Sequence, residues 1–293
     1  MTVIRHGLTA ADGIAMTSLR GMLATHPIAI TRASFDGLFE RVPRADSVAY
    51  SEASLGRVPG FWCVPTGPRG GVAMLYLHGG GFIYGSARAF RHLVGQIVAR
   101  SGVPAFIADY RLAPEHAFPA ALDDARAAYR ALVDLFGAGG VALAGDSAGG
   151  GLALSLLQEE PSARCGVLLS PWTDLALTGV SIESKAAEDP LMTRAALEAG
   201  ARQYVGAHDR RDPRVSPLYG PMRGTPPIQV HVGTAEILLD DSLRLGSHDH
   251  IEVHAWEGMT HVFPSSLGLF EAALAAHDLI AAFLKDQTER MLP

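Results

Sequence analysis

The stretch VALAGDSAGGGLALSLL, Val141 to Leu157, passes from an apolar run into a helix-forming run through Gly145-Asp146-Ser147-Ala148-Gly149. This is the only G-x-S-x-G in the chain. The pattern is needed where a strand turns sharply into a helix and lifts a serine clear of a sheet, because side chains two residues to either side would clash. An apolar strand before it and a good helix former after it make Ser147 a candidate nucleophile. A second glycine-dense stretch, LHGGGFIYGS from Leu77 to Ser86, follows the apolar run VAMLYL. Glycines there let the backbone approach another group without a Cβ in the way. Cleavage of an ester by a serine passes through a tetrahedral oxyanion, which backbone N–H groups stabilise, and an HGGG loop after an early strand suits that task.

Around these two stretches the chain alternates strand and helix. Predicted strands are VAMLYL, VPAFIADY, VALAGD, GVLLSPW, IQVHVG and IEVHAW. Predicted helices include Leu8 to Thr25, Phe118 to Phe136 and the closing run from Ser266. SVAYSEASLGRVPGFWCVP reads as two strands about a glycine turn. Near-continuous apolar strands are expected when helices cover both faces of a parallel sheet, so the fold class is α/β, doubly wound and mostly parallel. From about Val180 to Arg223 a polar loop, the helical TRAALEAGARQYVG and a Pro/Gly-rich run break the rhythm. An insertion of this size is expected to form a lid or cap, with the N-terminal helix packing against it.

Composition narrows the function. The 293 residues carry a formal charge of −6, with no basic surplus to meet nucleic acid or an anionic membrane. Cys63 and Cys165 are the only cysteines, too few for a disulfide framework or a thiolate zinc site. Without a signal-peptide pattern or a bilayer-length apolar stretch, the expected location is the cytoplasm. His248 and His250 have no carboxylate pattern beside them and read as a solvated loop, not a metal site. Gly137 to Ala142 fits a dinucleotide fingerprint in letters only, since it follows a helix and precedes a strand.

A nucleophilic serine needs a base and an acid, in the chain order serine, acid, histidine. Of twelve histidines, His261 in WEGMTHVF stands after the last strand, where a loop would return an imidazole to Ser147. The acid is expected just past the strand ending at Gly233. Glu236 lies three residues on. Asp240 stands one helical turn further, roughly 6 Å along the axis. Glu236 is therefore the expected acid, with Asp240 and then Asp241 as the alternatives; with Glu236 in that role, Asp240 is a carboxylate that holds the turn and Asp241 a solvated one.

The motifs HGGGF, DYRLAPEHAFPA, GDSAGG, DPLMT and WEGMTHVF, in that order, resemble the bacterial hormone-sensitive-lipase-like esterases, also called family IV carboxylesterases. The resemblance implies an α/β-hydrolase fold with a helical cap, here about 1–45 and 180–223, on a single domain spanning 1–293. It also implies oxyanion donors from Gly80, Gly81 and the Ala148 amide, no cofactor, and a monomer or homodimer. The expected reaction is hydrolysis of short- to medium-chain esters through an acyl-enzyme. Phe82, Trp172 and Met192 are expected to wall the substrate pocket. Glu236-Ile237-Leu238-Leu239-Asp240 departs from the family's usual D-x-L-x-D, and the segment to Trp256 is short. The same catalyst would also suit an amidase, a lactonase or an acyltransferase. A receptor that only binds a small ligand is the other class, disfavoured because His261 is present.

Overall fold

The six apolar runs form the middle of one nine-stranded sheet. The computed structural model describes residues 2–25 and 30–289. In chain order the strands are β1 (Val3–His6), β2 (Val48–Leu55), β3 (Val58–Pro65), β4 (Ala73–Leu77), β5 (Ala105–Ala108), β6 (Val141–Asp146), β7 (Gly166–Leu169), β8 (Ile228–Gly233) and β9 (Ile251–Trp256). They lie side by side as β1-β9-β8-β7-β6-β4-β5-β3-β2. Pairing is parallel from β1 across to β5, and antiparallel where β3 joins β5 and β2 joins β3.

Helices cover the sheet on both faces: α1 (Ala10–Thr25), α2 (Arg32–Phe39), α3 (Ala87–Ser101), α4 (Ala120–Phe136), α5 (Ser147–Glu159), α6 (Ser181–Ser184), α7 (Arg194–Val205), α8 (Leu239–Leu245) and α9 (Glu271–Glu289). Successive residues of a strand point to opposite faces, so a strand covered on both sides is apolar throughout. Leu75, Leu77, Phe106 and Leu143 accordingly join one core with Leu132 of α4 and Leu152 and Leu156 of α5. Met74, Tyr76, Ile107 and Ala144 join the other, with Phe90, Leu93 and Ile97 of α3 and Ile280 and Leu284 of α9. No described helix is long and apolar enough to cross a membrane.

Near the N-terminus the structure differs from the sequence expectation in two ways. The first helix begins at Ala10, not Leu8, because the Thr9 hydroxyl accepts from Asp12 N at 3.1 Å and the Thr9 carbonyl from Gly13 N at 3.0 Å. A threonine in that place ends the preceding chain as an N-cap. Before it, Val3–His6 adds the edge strand β1, in register with Val253 to Trp256 of β9. Four residues without alternation carry no strand signal of their own.

The segments expected to form a cap reach the loop after β4. Arg32 of α2 donates from Nε to Ile83 O at 2.9 Å and from Nη2 to Ala113 O at 3.0 Å. The Tyr204 ring of α7 stacks on Phe82 with centroids 3.7 Å apart. A Cβ built on Gly200 of the same helix would stand 3.3 Å from the Gly81 carbonyl oxygen. Between α1 and residues 187–190 lies a cleft of about 310 Å³, bridged by Arg20 Nη2 donating to Glu188 O at 2.9 Å. Residues 26–29 and 290–293, within the regions assigned by sequence to the cap and the domain, lie outside the described residues.

Candidate active site

Each side chain singled out for chemistry stands just past the carboxyl end of a parallel strand, where α/β sheets bind their ligands. Ser147 follows β6 directly and opens α5 with φ 51, a left-handed conformation unusual for serine. The glycines around it are there for space. A Cβ on Gly145 would overlap the Gly149 carbonyl, and one on Gly149 the carbonyls of Leu77 and His78. The turn therefore packs backbone on backbone and presents the Ser147 hydroxyl above the sheet.

The imidazole of His261, on the loop after β9, faces that hydroxyl with Nε2 2.9 Å from Ser147 Oγ. Its Nδ1 lies 3.1 Å from Glu236 Oε1. Since a carboxylate accepts only, Nδ1 carries the proton and Nε2 offers a lone pair to the serine O–H. Burial pushes the His261 imidazole toward the neutral form, but the Glu236 carboxylate opposes this by charge and hydrogen bond. The balance holds its pKa above the ordinary 6.5. Glu236 is fully buried, and its Oε2 accepts from Gly233 N at 3.0 Å and from Ser170 Oγ at 2.8 Å.

The other two carboxylates of that turn go elsewhere. Helix α8 starts at Leu239, which leaves Glu236 in the turn and sets Asp240 and Asp241 on the helix. Asp240 accepts from Ser181 N at 3.0 Å and ties α8 to α6. Asp241, expected from sequence to be solvated, is instead buried. Its Oδ2 accepts from the backbone N–H groups of Thr173 at 2.7 Å and Asp174 at 2.8 Å, and burial pushes its carboxyl up to about 7. Its face of α8 turns inward onto the chain after β7, and no spacing in the sequence reports that encounter.

The loop after β4 is held by several hydrogen bonds. His78 O accepts from Tyr110 Oη at 2.6 Å, Gly79 N donates to Asp146 Oδ1 at 2.9 Å, and Gly79 O accepts from His78 Nδ1 at 2.8 Å. Gly80 O accepts from the N–H groups of Ile83 and Tyr84. Among the described residues none accepts from the N–H of Gly80 or Gly81. Ala148 N, in the first turn of α5, has no intrahelical acceptor. Gly80 has φ 115, and a Cβ there would overlap the Tyr84 carbonyl, so the tight turn requires glycine. Asp146 clamps the nucleophile's strand to this loop through Oδ1, which also accepts from Tyr76 Oη at 2.9 Å. Burial pushes its carboxyl up to about 7 against those two donors.

Phe82 and Trp172 are both buried, their ring centroids 6.1 Å apart, and Trp172 N donates to Ser147 O at 2.9 Å. Met192 is half-buried against the same core. Its N–H, with that of Leu191, donates to Asp189 Oδ1 at 2.9 Å. Asp189 Oδ2 accepts from Ile237 N at 2.9 Å, so the DPLMT stretch is fastened to the turn that carries Glu236. Ser170, Asp146 and Asp189 were not singled out from sequence. The GDSAGG and DPLMT motifs contain two of them, but nothing in the letters shows where those carboxylates bond.

Residues 74–265 match a family model described as alpha/beta hydrolase fold. An acetyl-hydrolase of Streptomyces hygroscopicus is 35% identical over 258 residues, covering 84% of each chain. An ethyl acetate hydrolase of Pseudomonas putida is 33% identical over 221 residues, 69% of each. Among solved structures, an esterase from the bacterial hormone-sensitive lipase family superposes with a TM-score of 0.88 at 33% identity, over 96% of this chain and 99% of that one.

Proposed function

The chain belongs to the alpha/beta hydrolase fold family and is a carboxylic ester hydrolase, and from that premise we propose that Ser147, His261 and Glu236 are its catalytic residues. The observation that carries this reading is the 2.9 Å contact from His261 Nε2 to Ser147 Oγ beside the unengaged N–H groups of Gly80 and Gly81.

In the proposed sequence Ser147 Oγ attacks the ester carbonyl carbon while His261 Nε2 takes the hydroxyl proton. The carbonyl π electrons move to oxygen, and the resulting oxyanion accepts from the N–H groups of Gly80, Gly81 and Ala148. The Ala148 amide lies in the first turn of α5, so the positive end of that helix faces the developing charge. Collapse re-forms the carbonyl and breaks the bond to the alkoxide, which leaves with the proton from His261. A water then attacks the acyl-serine, with His261 again taking a proton. Ser147 leaves as the alkoxide, recovers that proton, and the carboxylic acid is released. Glu236 holds the Nδ1–H tautomer throughout and offsets the imidazolium charge.

We assign α1, α2 and α7, with the loops of 180–223, to a cap over this site. Phe82, Trp172 and Met192 then wall a pocket for the acyl group. Short and medium acyl chains are the proposed substrates: the Streptomyces relative is named an acetyl-hydrolase and the Pseudomonas relative an ethyl acetate hydrolase. The test is turnover of p-nitrophenyl esters from two to sixteen carbons, together with amides and lactones. A maximum at about two to eight carbons supports the reading. A preference for long-chain emulsions, or for amides over esters, would overturn it.

A further inference from the structure

Ser170 stands one residue past β7, fully buried, with φ 44. A non-glycine residue in the left-handed region costs backbone energy and persists only where its surroundings hold it there. Its backbone N–H donates to His231 O at 2.7 Å, which fixes the residue against β8. Its hydroxyl then reaches both halves of the proposed acid–base pair. Ser170 Oγ donates to Glu236 Oε2 at 2.8 Å and accepts from Val262 N at 3.0 Å. Val262 is the residue after His261 and is itself left-handed, with φ 50.

One hydroxyl, donor on one side and acceptor on the other, therefore joins the carboxylate that orients the imidazole to the turn that carries it. The carboxylate itself meets that turn directly through the 3.1 Å contact of His261 Nδ1 with Glu236 Oε1, and the backbone beside it through Ala235 N donating to Met259 O at 3.0 Å. The Glu236 carboxylate is held by three donors in all: Gly233 N and Ser170 Oγ on Oε2, and the imidazole on Oε1. Of the first two, Gly233 only packs against the histidine loop, near Met259 and Thr260, whereas Ser170 is also hydrogen-bonded to it. We infer that Ser170 is a positioning residue for ester hydrolysis, acting through Glu236 and the His261 turn and not by contact with substrate. The inference rests on the reading of Glu236 as the triad acid.

The test is a double-mutant cycle on steady-state hydrolysis of p-nitrophenyl butyrate, with Ser170→Ala, Glu236→Gln and the double variant. Misplacing a catalytic group by about 1 Å costs on the order of 100-fold, so Ser170→Ala is expected to lower kcat by about 10- to 100-fold with KM within about twofold. Ser170→Gly suits the left-handed backbone and also lacks the hydroxyl, so it is expected to fold readily and to lose the same factor. In the Glu236→Gln background the further loss from Ser170→Ala should shrink to about threefold or less, because groups that act as a unit are not additive. Normal kcat in the two Ser170 variants beside an impaired Glu236→Gln would overturn this inference alone. So would an equal factor in both backgrounds, the mark of a structural effect independent of the acid. Normal turnover by Glu236→Gln would instead remove the acid assignment, and this inference with it.

Discussion

Glu236 and Asp241 show how one short turn sorts its carboxylates. Both are buried, but Glu236 lies before the first residue of α8 and faces His261, whereas Asp241 lies within the helix and caps the chain after β7. Glu236→Gln is expected to lower kcat by about 10²- to 10⁴-fold, the range seen when an imidazole loses its orienting carboxylate. Asp240→Asn, assayed beside it, should stay within about threefold of the parent. Asp241→Asn should show its effect first as a lower unfolding temperature, since it disturbs a buried acceptor of two backbone N–H groups. An Asp240 variant weaker than the Glu236 variant would reverse the assignment. The His261 imidazole must be neutral to accept a proton, and the Glu236 carboxylate raises its pKa. kcat/KM should therefore rise with pH through an apparent pKa above 6.5 and hold at mildly alkaline pH. A profile already level at pH 5 would contradict that role. That Ser147, His261 and Glu236 would meet was legible in the sequence because each is marked by a motif or by its distance from a strand end. Ser170 was not, because a serine ahead of Pro171-Trp172 has no pattern of its own. Its partners come from the turn after β8 and from the loop after β9, 66 and 92 residues away.

Among the elements, the parallel strands β4 to β9 were legible because burial on both faces makes them mostly apolar. The edge strand β1 was not, since half of its residues face solvent and its pairing with β9 is set 250 residues away. Helix α7 was legible as a helix, but its seat on the glycine loop was not. That seat depends on Gly200, whose absent Cβ lets α7 approach the Gly81 carbonyl oxygen and the Trp172 ring, 3.3 and 3.6 Å from where a Cβ would stand. Gly200→Leu is expected to push the loop and lower kcat/KM by about tenfold or more, because displacing oxyanion donors by fractions of an ångström weakens them in the transition state. Gly21→Ala in α1, where a Cβ meets nothing within 4 Å, serves as the control and should leave kcat/KM unchanged. Equal activity in both variants would mean that α7 does not set the position of Gly81.

At the scale of the whole molecule, buried histidines make stability depend on pH. His277 of α9 is fully buried, with Nε2 donating to Pro264 O at 3.0 Å and Nδ1 without a partner among the described residues, and burial pushes its pKa down to about 4. Below the unfolded value of 6.5 the unfolded chain takes up a proton that the folded chain refuses until about pH 4, so stability falls across that window as pH drops. Between pH 7 and pH 5 this one residue should cost about 2 kcal/mol. His277→Gln should be less stable than the parent at pH 7, and the gap should narrow by about that amount at pH 5; a gap that stays constant in urea titrations would contradict it. The same sign applies to His231, which burial and the neighbouring His254, His6 and His277 hold well below its ordinary range. The chain that these contacts hold together is proposed to work through a covalent bond at a single serine, and the mass of the intact protein reads that bond directly. After treatment with a p-nitrophenyl phosphate triester, esterase activity should fall in proportion to the gain of one phosphoryl adduct per chain, mapped to Ser147 by peptide mass. Full activity in chains modified at Ser147, or activity lost while the adduct sits on another residue, would contradict the mechanism.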